Sequence, residues 1–273
     1  MKKVSKKLAL LLCFVLAFSM FAGCSSGDEG NVEPEEKTTI SIGCMPLNAE
    51  AVEVVKEMIA EKGYEVEVMV FDGNNLPAEA LMADEIDCLI LNHLPWITNF
   101  NAQNGSELTM VDGFAYASLF GFYSAKHDSI DDIPQDGQII VSNDPANMHR
   151  SLLFMEKLGL ITLGEQVGDY YTVLDIEENP KNLQIVEVET TNTAGSYQDA
   201  DGSISFTSVM RNAGIDAYSY IEEDGEYINY PTGFFVNKGD ETSEWAKALV
   251  EVASTPEYKE KFDAIFQGAY QIF

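Results

Sequence analysis

The chain has 273 residues, and its 45 acidic against 16 basic side chains give a formal net charge of −29. A surface of that sign repels polyphosphate and anionic headgroups, which excludes a nucleic-acid binder and electrostatic adsorption to an acidic membrane. Hydrophobic residues make up 46% of the chain, enough for a sizeable core in one large domain or two small ones.

At the start, Lys2, Lys3, Lys6 and Lys7 precede an apolar stretch from Leu8 to Ala22 with no acidic residue. That is the pattern of an export signal, too short for a permanent membrane span. It ends in Phe21-Ala22-Gly23-Cys24-Ser25-Ser26, with small residues just ahead of a cysteine. The segment resembles the lipobox of bacterial lipoproteins. The resemblance implies a signal peptide over residues 1–23, a lipidated Cys24, and anchoring at the extracytoplasmic face of the cell membrane. Residues 24–37 then read as a tether, rich in Ser, Gly, Asp and Glu and too polar to pack.

From Thr38 onward, short apolar runs alternate with longer amphipathic segments. Thr39–Cys44 and Glu65–Phe71 read as strands around a helix at Ala49–Lys62, whose Val52, Val55, Met58 and Ile59 share one face. Helices are expected at 76–83 and 94–102, with strands at 88–91 and 121–124. A strand at Gln138–Ser142 precedes a helix reaching about Leu158. Further strands are expected at 183–188, 203–206 and 234–236, before two closing helices at 242–253 and 256–266. Two runs of βα units predict an α/β fold of two lobes with a ligand cleft beyond the strand ends. Cys44 and Cys88 each sit at the edge of an apolar run and read as small core residues, with pairing left open.

The loop after Leu91 reads Asn92-His93-Leu94-Pro95-Trp96. An amide, an imidazole and an indole at a strand end can give a ligand one polar and one apolar wall. They can equally be a helix-capping histidine beside a core tryptophan. In Asn143-Asp144-Pro145-Ala146-Asn147-Met148-His149-Arg150, Asn147 reads as the N-cap, which puts Arg150 in the first helical turn. A cation there opposes the helix dipole, a placement that makes sense if an anion lies between the free N–H groups and a guanidinium gripping it bidentately. A surface ion pair is the alternative. Arg150 and Arg211 are the two arginines of the chain.

These segments, together with Ile176-Glu177-Glu178-Asn179-Pro180-Lys181-Asn182-Leu183, the Asp87…His93-Leu94-Pro95-Trp96 stretch and Phe266-Gln267-Gly268-Ala269, resemble the NlpA-type methionine-binding lipoproteins from Ile42 to Phe273. The resemblance implies a periplasmic-binding-protein fold, type II-like, whose lobes close on an amino acid and deliver it to an ABC permease. It implies that Arg150 and Asn147 hold the ligand's carboxylate and neighbouring polar groups, while His93 and Trp96 contact the rest. Three departures bear on the ligand. Phe206-Thr207-Ser208 stands where the family has Asn-Gly-Asn, so that Ser208 or Thr207 would take an ammonium. Asn74 stands in place of a tyrosine, and the loop Met45-Pro46-Leu47-Asn48 is shorter. Lobe one is expected over 38–130 plus 207–273 and lobe two over 131–206.

Against an enzyme stands the lack of a Gly-x-Ser-x-Gly elbow, a His-Glu-x-x-His pair or a phosphate-binding Gly-x-x-x-x-Gly-Lys. His93, His127 and His149 are too scattered for a metal site, and no cofactor is expected. Sensing or surface interaction, and a different small ligand or a short peptide, remain as alternatives to amino-acid transport.

Overall fold

The computed structural model describes residues 37–273. The expected signal peptide, Cys24 and the tether up to Glu36 lie outside the described residues.

The first part of the chain forms β1 (Thr39–Cys44), α1 (Pro46–Ile59), β2 (Glu65–Val70), α2 (Leu76–Met82), β3 (Cys88–Leu89) and α3 (Leu94–Asn104). Three short strands follow: β4 (Leu108–Met110), β5 (Tyr116–Ser118) and β6 (Phe120–Tyr123). Next come β7 (Gln138–Ser142), α4 (Pro145–Lys157), β8 (Thr162–Leu163), β9 (Ile176–Glu178), β10 (Gln184–Val188) and β11 (Gly202–Phe206). The remainder is α5 (Thr207–Asn212), β12 (Glu222–Glu223), β13 (Phe235–Asn237), α6 (Glu244–Ala253), α7 (Pro256–Phe266) and β14 (Tyr270–Ile272).

Two five-stranded sheets organise these elements, in the orders β2-β1-β3-β13-β4 and β10-β7-β11-β6-β12. In the first sheet β1 runs parallel to β2 and β3, and β13 enters antiparallel between β3 and β4. In the second, β7 lies parallel between β10 and β11, and β6 adds antiparallel with β12 outside it.

The period of two along a strand explains how the first sheet is covered on both faces. Cys88 and Ile90 face a core with α1 and α6, whereas Leu89 between them faces a second core with α2 and α3. Phe234 and Val236 likewise join the first core, and Phe235 joins the second. The second sheet packs Ile139, Val141 and Ile204 against Leu152 and Met155 of α4. Gly202 on β11 is required by close approach, since a Cβ there would meet a Phe122 ring carbon at 2.2 Å.

The lobe boundaries expected from sequence need correction. Strands β6 and β12, at 120–123 and 222–223, pair in the second sheet although both fall outside 131–206. They are short antiparallel additions to a parallel centre and lack the βα rhythm that marks the rest. The chain passes from the first lobe to the second at Leu119, between β5 and β6. At this junction α5 begins, with Thr207 N donating to Leu119 O at 2.9 Å and Thr207 Oγ1 to Ala269 O at 2.6 Å. The expected helical C-terminus is also corrected, because the chain ends in β14, paired antiparallel with β5.

Cys44 and Cys88 are buried free thiols. The β1–β3 register aligns Cys88 with Ile42 and leaves Cys44 two residues further along, out of reach for a disulfide. Burial and the nearby Glu53 push the Cys44 thiol up to about 11. Among the described residues no helix is long and apolar enough to cross a membrane.

Phe235 is fully buried between α2, α3 and the first sheet. Phe235→Ala is therefore expected to lower unfolding free energy by about 3–5 kcal/mol, measured by urea denaturation. A loss below about 1 kcal/mol would contradict its central place in that core.

Candidate functional site

A cavity lies between the two lobes, with about 620 Å³ of empty space when its open mouth is included. Met45, Leu47, Leu91, Trp96, Phe206 and Val209 give it apolar walls, and Asn74, Asn92, His93, Asn147, Thr191 and Ser208 are among its polar groups.

The centre of the site is His93, and local sequence explains its posture. It follows β3 in extended conformation and caps α3, where Pro95 in the first turn has no N–H to satisfy and Nδ1 accepts from the backbone N–H of Trp96 at 3.1 Å. An Nδ1 that accepts leaves the ring proton on Nε2, which donates to Asn147 Oδ1 at 2.8 Å. That bond joins α3 of the first lobe to α4 of the second. The Tyr170 hydroxyl makes a second bridge, donating to Pro95 O at 3.2 Å.

Asn147 is oriented in turn by Asp144. The Asn147 amide Nδ2 donates to Asp144 Oδ2 at 2.8 Å, and its backbone N–H to Oδ1 at 3.0 Å. Ser142 Oγ and Thr190 Oγ1 also donate to Asp144 Oδ2, at 2.7 and 2.9 Å. Burial, with Arg150 adding to it, pushes the His93 imidazole down to about 4, against the opposing effects of Asn147 and Asp144. His93 is neutral at physiological pH.

The remaining sequence-predicted residues divide. Trp96 is buried and stacks on Phe100, with centroids 5.4 Å apart, and one edge of it borders the cavity. The reading of a capping histidine beside a core tryptophan holds, and both residues also line the cleft. Asn74 accepts from Asn92 Nδ2 at 3.0 Å. Ser208 is tied to the lobe junction, its hydroxyl accepting from Ser118 Oγ at 2.9 Å and its N–H donating back at 3.1 Å.

Arg150 does not border the cavity with the others. The helix is capped by Asp144 and starts at Pro145, so Asn147 is not the cap and Arg150 falls in the second turn, away from the dipole's positive end. Its Nε and Nη2 donate to Asp224 Oδ2 and Oδ1 at 2.6 and 3.1 Å, a bidentate pair with both side chains nearly fully buried, at 2% and 3% exposure. The guanidinium carbon lies 3.8 Å from the Tyr230 ring centroid, 4.4 Å from that of Phe120 and 5.6 Å from that of Phe206. Tyr230 and Phe206 are the wall between it and the cleft. Neither Asp224, 74 positions away, nor this aromatic cage has a sequence signature.

Asn92, the amide that the sequence places at this strand end beside His93, also lines the cavity. Its Oδ1 is buried without a partner, in a residue that lines the cavity. His127 and His149 serve elsewhere: His127 Nε2 is 3.1 Å from Asp201 Oδ1, and His149 Nδ1 accepts from Tyr171 N–H. Among the described residues no group of His, Cys, Asp or Glu is placed to hold a metal ion.

Two α/β lobes joined by crossing segments, with a cavity walled by both, define the class: a solute-binding protein of the periplasmic-binding type. The NlpA lipoprotein family profile matches residues 40–272, and the chain belongs to that family, whose members bind solutes and are not enzymes. The methionine-binding lipoprotein MetQ of Bacillus subtilis is 30% identical over 266 residues, covering 96% of this chain and 95% of the relative. A Burkholderia cenocepacia nutrient-binding protein solved with methionine superposes with a TM-score of 0.79 at 29% identity, over 86% of this chain and 98% of that one. An ABC-transporter periplasmic substrate-binding protein from Coxiella burnetii gives 0.79 at 26% identity, over 86% and 100%. The family resemblance read from the sequence is borne out.

The depressed His93 titration has a signed consequence. Above pH 6.5 neither state holds the proton; as pH falls toward about 4, the unfolded chain takes it up and the folded one does not. Stability is then full above 6.5 and declines by about 3 kcal/mol toward pH 4. Urea unfolding of wild type and His93→Asn across this window should show a steeper acid loss in the wild type. Parallel curves would contradict the buried neutral imidazole.

Proposed function

We propose that this chain is the lipid-anchored solute receptor of an ABC importer, and that its cleft takes up an amino-acid unit with an apolar side chain of methionine's kind. The observation that carries this reading is the cavity itself, walled by both lobes, apolar beside Trp96 and Phe206 and lined with amides and hydroxyls opposite. Its support in the family is the methionine named for the Bacillus subtilis relative and bound in the Burkholderia cenocepacia structure.

His93, Asn147, Trp96, Ser208, Asn74 and Asn92 are the proposed ligand contacts. A solute touching both lobes stabilises the state in which they meet, by its differential affinity for that state. A permease would then read the closed form. Lipidation at Cys24 keeps the receptor beside the permease and leaves the strongly acidic body free of the membrane surface.

A thermal-shift screen of residues 25–273 against amino acids, their amides and short peptides tests the ligand class. A ligand at about a hundred times its Kd adds roughly 2.7 kcal/mol, so methionine-type compounds should raise Tm clearly and polar ones should not. Asn147→Ala should weaken the best of them by about tenfold or more, the cost of a lost buried hydrogen bond. No stabilisation by any of these compounds would contradict the amino-acid reading. Cys24→Ala in the full chain should move the protein from the membrane fraction to the soluble one; retention at the membrane would sink the lipid anchor.

A further inference from the structure

Tyr230 borders two cavities. On one side lies the cleft, and on the other a second cavity between α4 and the segment after β12, with about 640 Å³ of empty space when its open side is included. Arg150, Leu153, Lys157, Asp224 and Glu226 are among the residues of the second cavity, and Tyr230 is the one residue shared by both linings. The Arg150 guanidinium carbon lies 3.8 Å from its ring centroid, and the same ring packs edge-on to His93 with centroids 5.2 Å apart. One aromatic ring is thus the partition between two spaces of similar size.

The polar groups of the second cavity decide what suits it. Asp224 accepts from Arg150 Nε and Nη2 and from the Glu226 backbone N–H, and Glu226 Oε2 accepts from Asn229 Nδ2 at 2.6 Å. Lys157 Nζ donates to the Asp224 carbonyl at 2.5 Å. The carboxylates there are served, and what is left over is a donor. Arg150 Nη1 is buried without a partner, a costly state that an acceptor relieves. Carboxylates and peptide carbonyls are acceptors, so the carboxyl end of a solute is drawn toward the Tyr230 end of the cleft.

Resting on the amino-acid reading, we propose that Tyr230 sets the length of the solute. Its ring closes the cleft at the solute's carboxyl end, so that a single amino acid fits and a unit extended there by a peptide bond collides with the ring. Without the ring the two cavities join, and the added residue runs into the space lined by Arg150, Leu153 and Lys157. Tyr230 is a specificity-determining residue that acts by exclusion, a repulsive element set against the longer competitor.

The test is calorimetric titration of the protein with methionine, methionyl-glycine and glycyl-methionine. Wild type should bind methionine at least about tenfold more tightly than methionyl-glycine, and Tyr230→Phe, which keeps the ring, should discriminate as the wild type does. Tyr230→Ala should shrink that ratio by about tenfold or more, with no matching gain for glycyl-methionine. Tyr230→Val takes the place of the alanine variant if the latter does not melt cooperatively. Three results overturn this inference and leave the amino-acid reading standing: wild type that binds methionyl-glycine as tightly as methionine, a cooperatively melting variant without the ring that keeps the wild-type ratio, or an equal gain for glycyl-methionine. Binding of none of the three compounds, by wild type that melts cooperatively, overturns both.

Discussion

One imidazole sets the geometry on which the rest of the site depends. Because Nδ1 of His93 is needed to cap α3, its proton must sit on Nε2. That proton fixes which way the Asn147 amide points, and the amide fixes its bond to Asp144. A helix cap in one lobe thereby dictates polarity at a helix start in the other. Burial keeps the ring neutral, so the bridge between lobes is a hydrogen bond between uncharged groups. Such a bridge breaks and re-forms without exposing a buried ion, which suits the lobe closure proposed for this protein.

Among the described residues the one deeply buried ion pair is Arg150 with Asp224, set among the rings of Phe120 and Tyr230 with Arg150 Nη1 left without a partner. A buried pair of this kind gains little net stability over an apolar replacement, yet removing one partner is strongly destabilising. Its effect here is organisational: it holds α4 against the segment after β12 and braces Tyr230, whose ring packs edge-on to His93 with centroids 5.2 Å apart. The wall of the cleft is thus supported from behind by this ion pair.

Regular elements were legible in sequence wherever a periodic pattern ran long enough. Strands β1 and β7 match the expected spans, and α7 matches 256–266. What escaped were elements of two or three residues, β4, β5, β8, β9, β12 and β14, which exist because a neighbouring strand offers hydrogen bonds and not because of their own pattern. Helix α5 was missed for a related reason, since Thr207 and Ser208 begin it under tertiary ties to Leu119 and Ser118. In the site, the Asn92–Trp96 loop was visible as a cluster of unusual residues at a strand end. The cap of α4 was placed three residues late, because Asp144 and Asn147 are both good caps and only the contacts to Asp144 decide between them. That shift put Arg150 at the wrong turn, and the partner that takes it, Asp224, is distant in sequence.

The proposed site lies around His93, where groups of both lobes meet. A crystal structure of the protein with its tightest-binding solute measures this directly. The ligand should lie against Asn92, His93, Asn147 and Trp96. A ligand bound elsewhere, with these four residues untouched, would contradict the site.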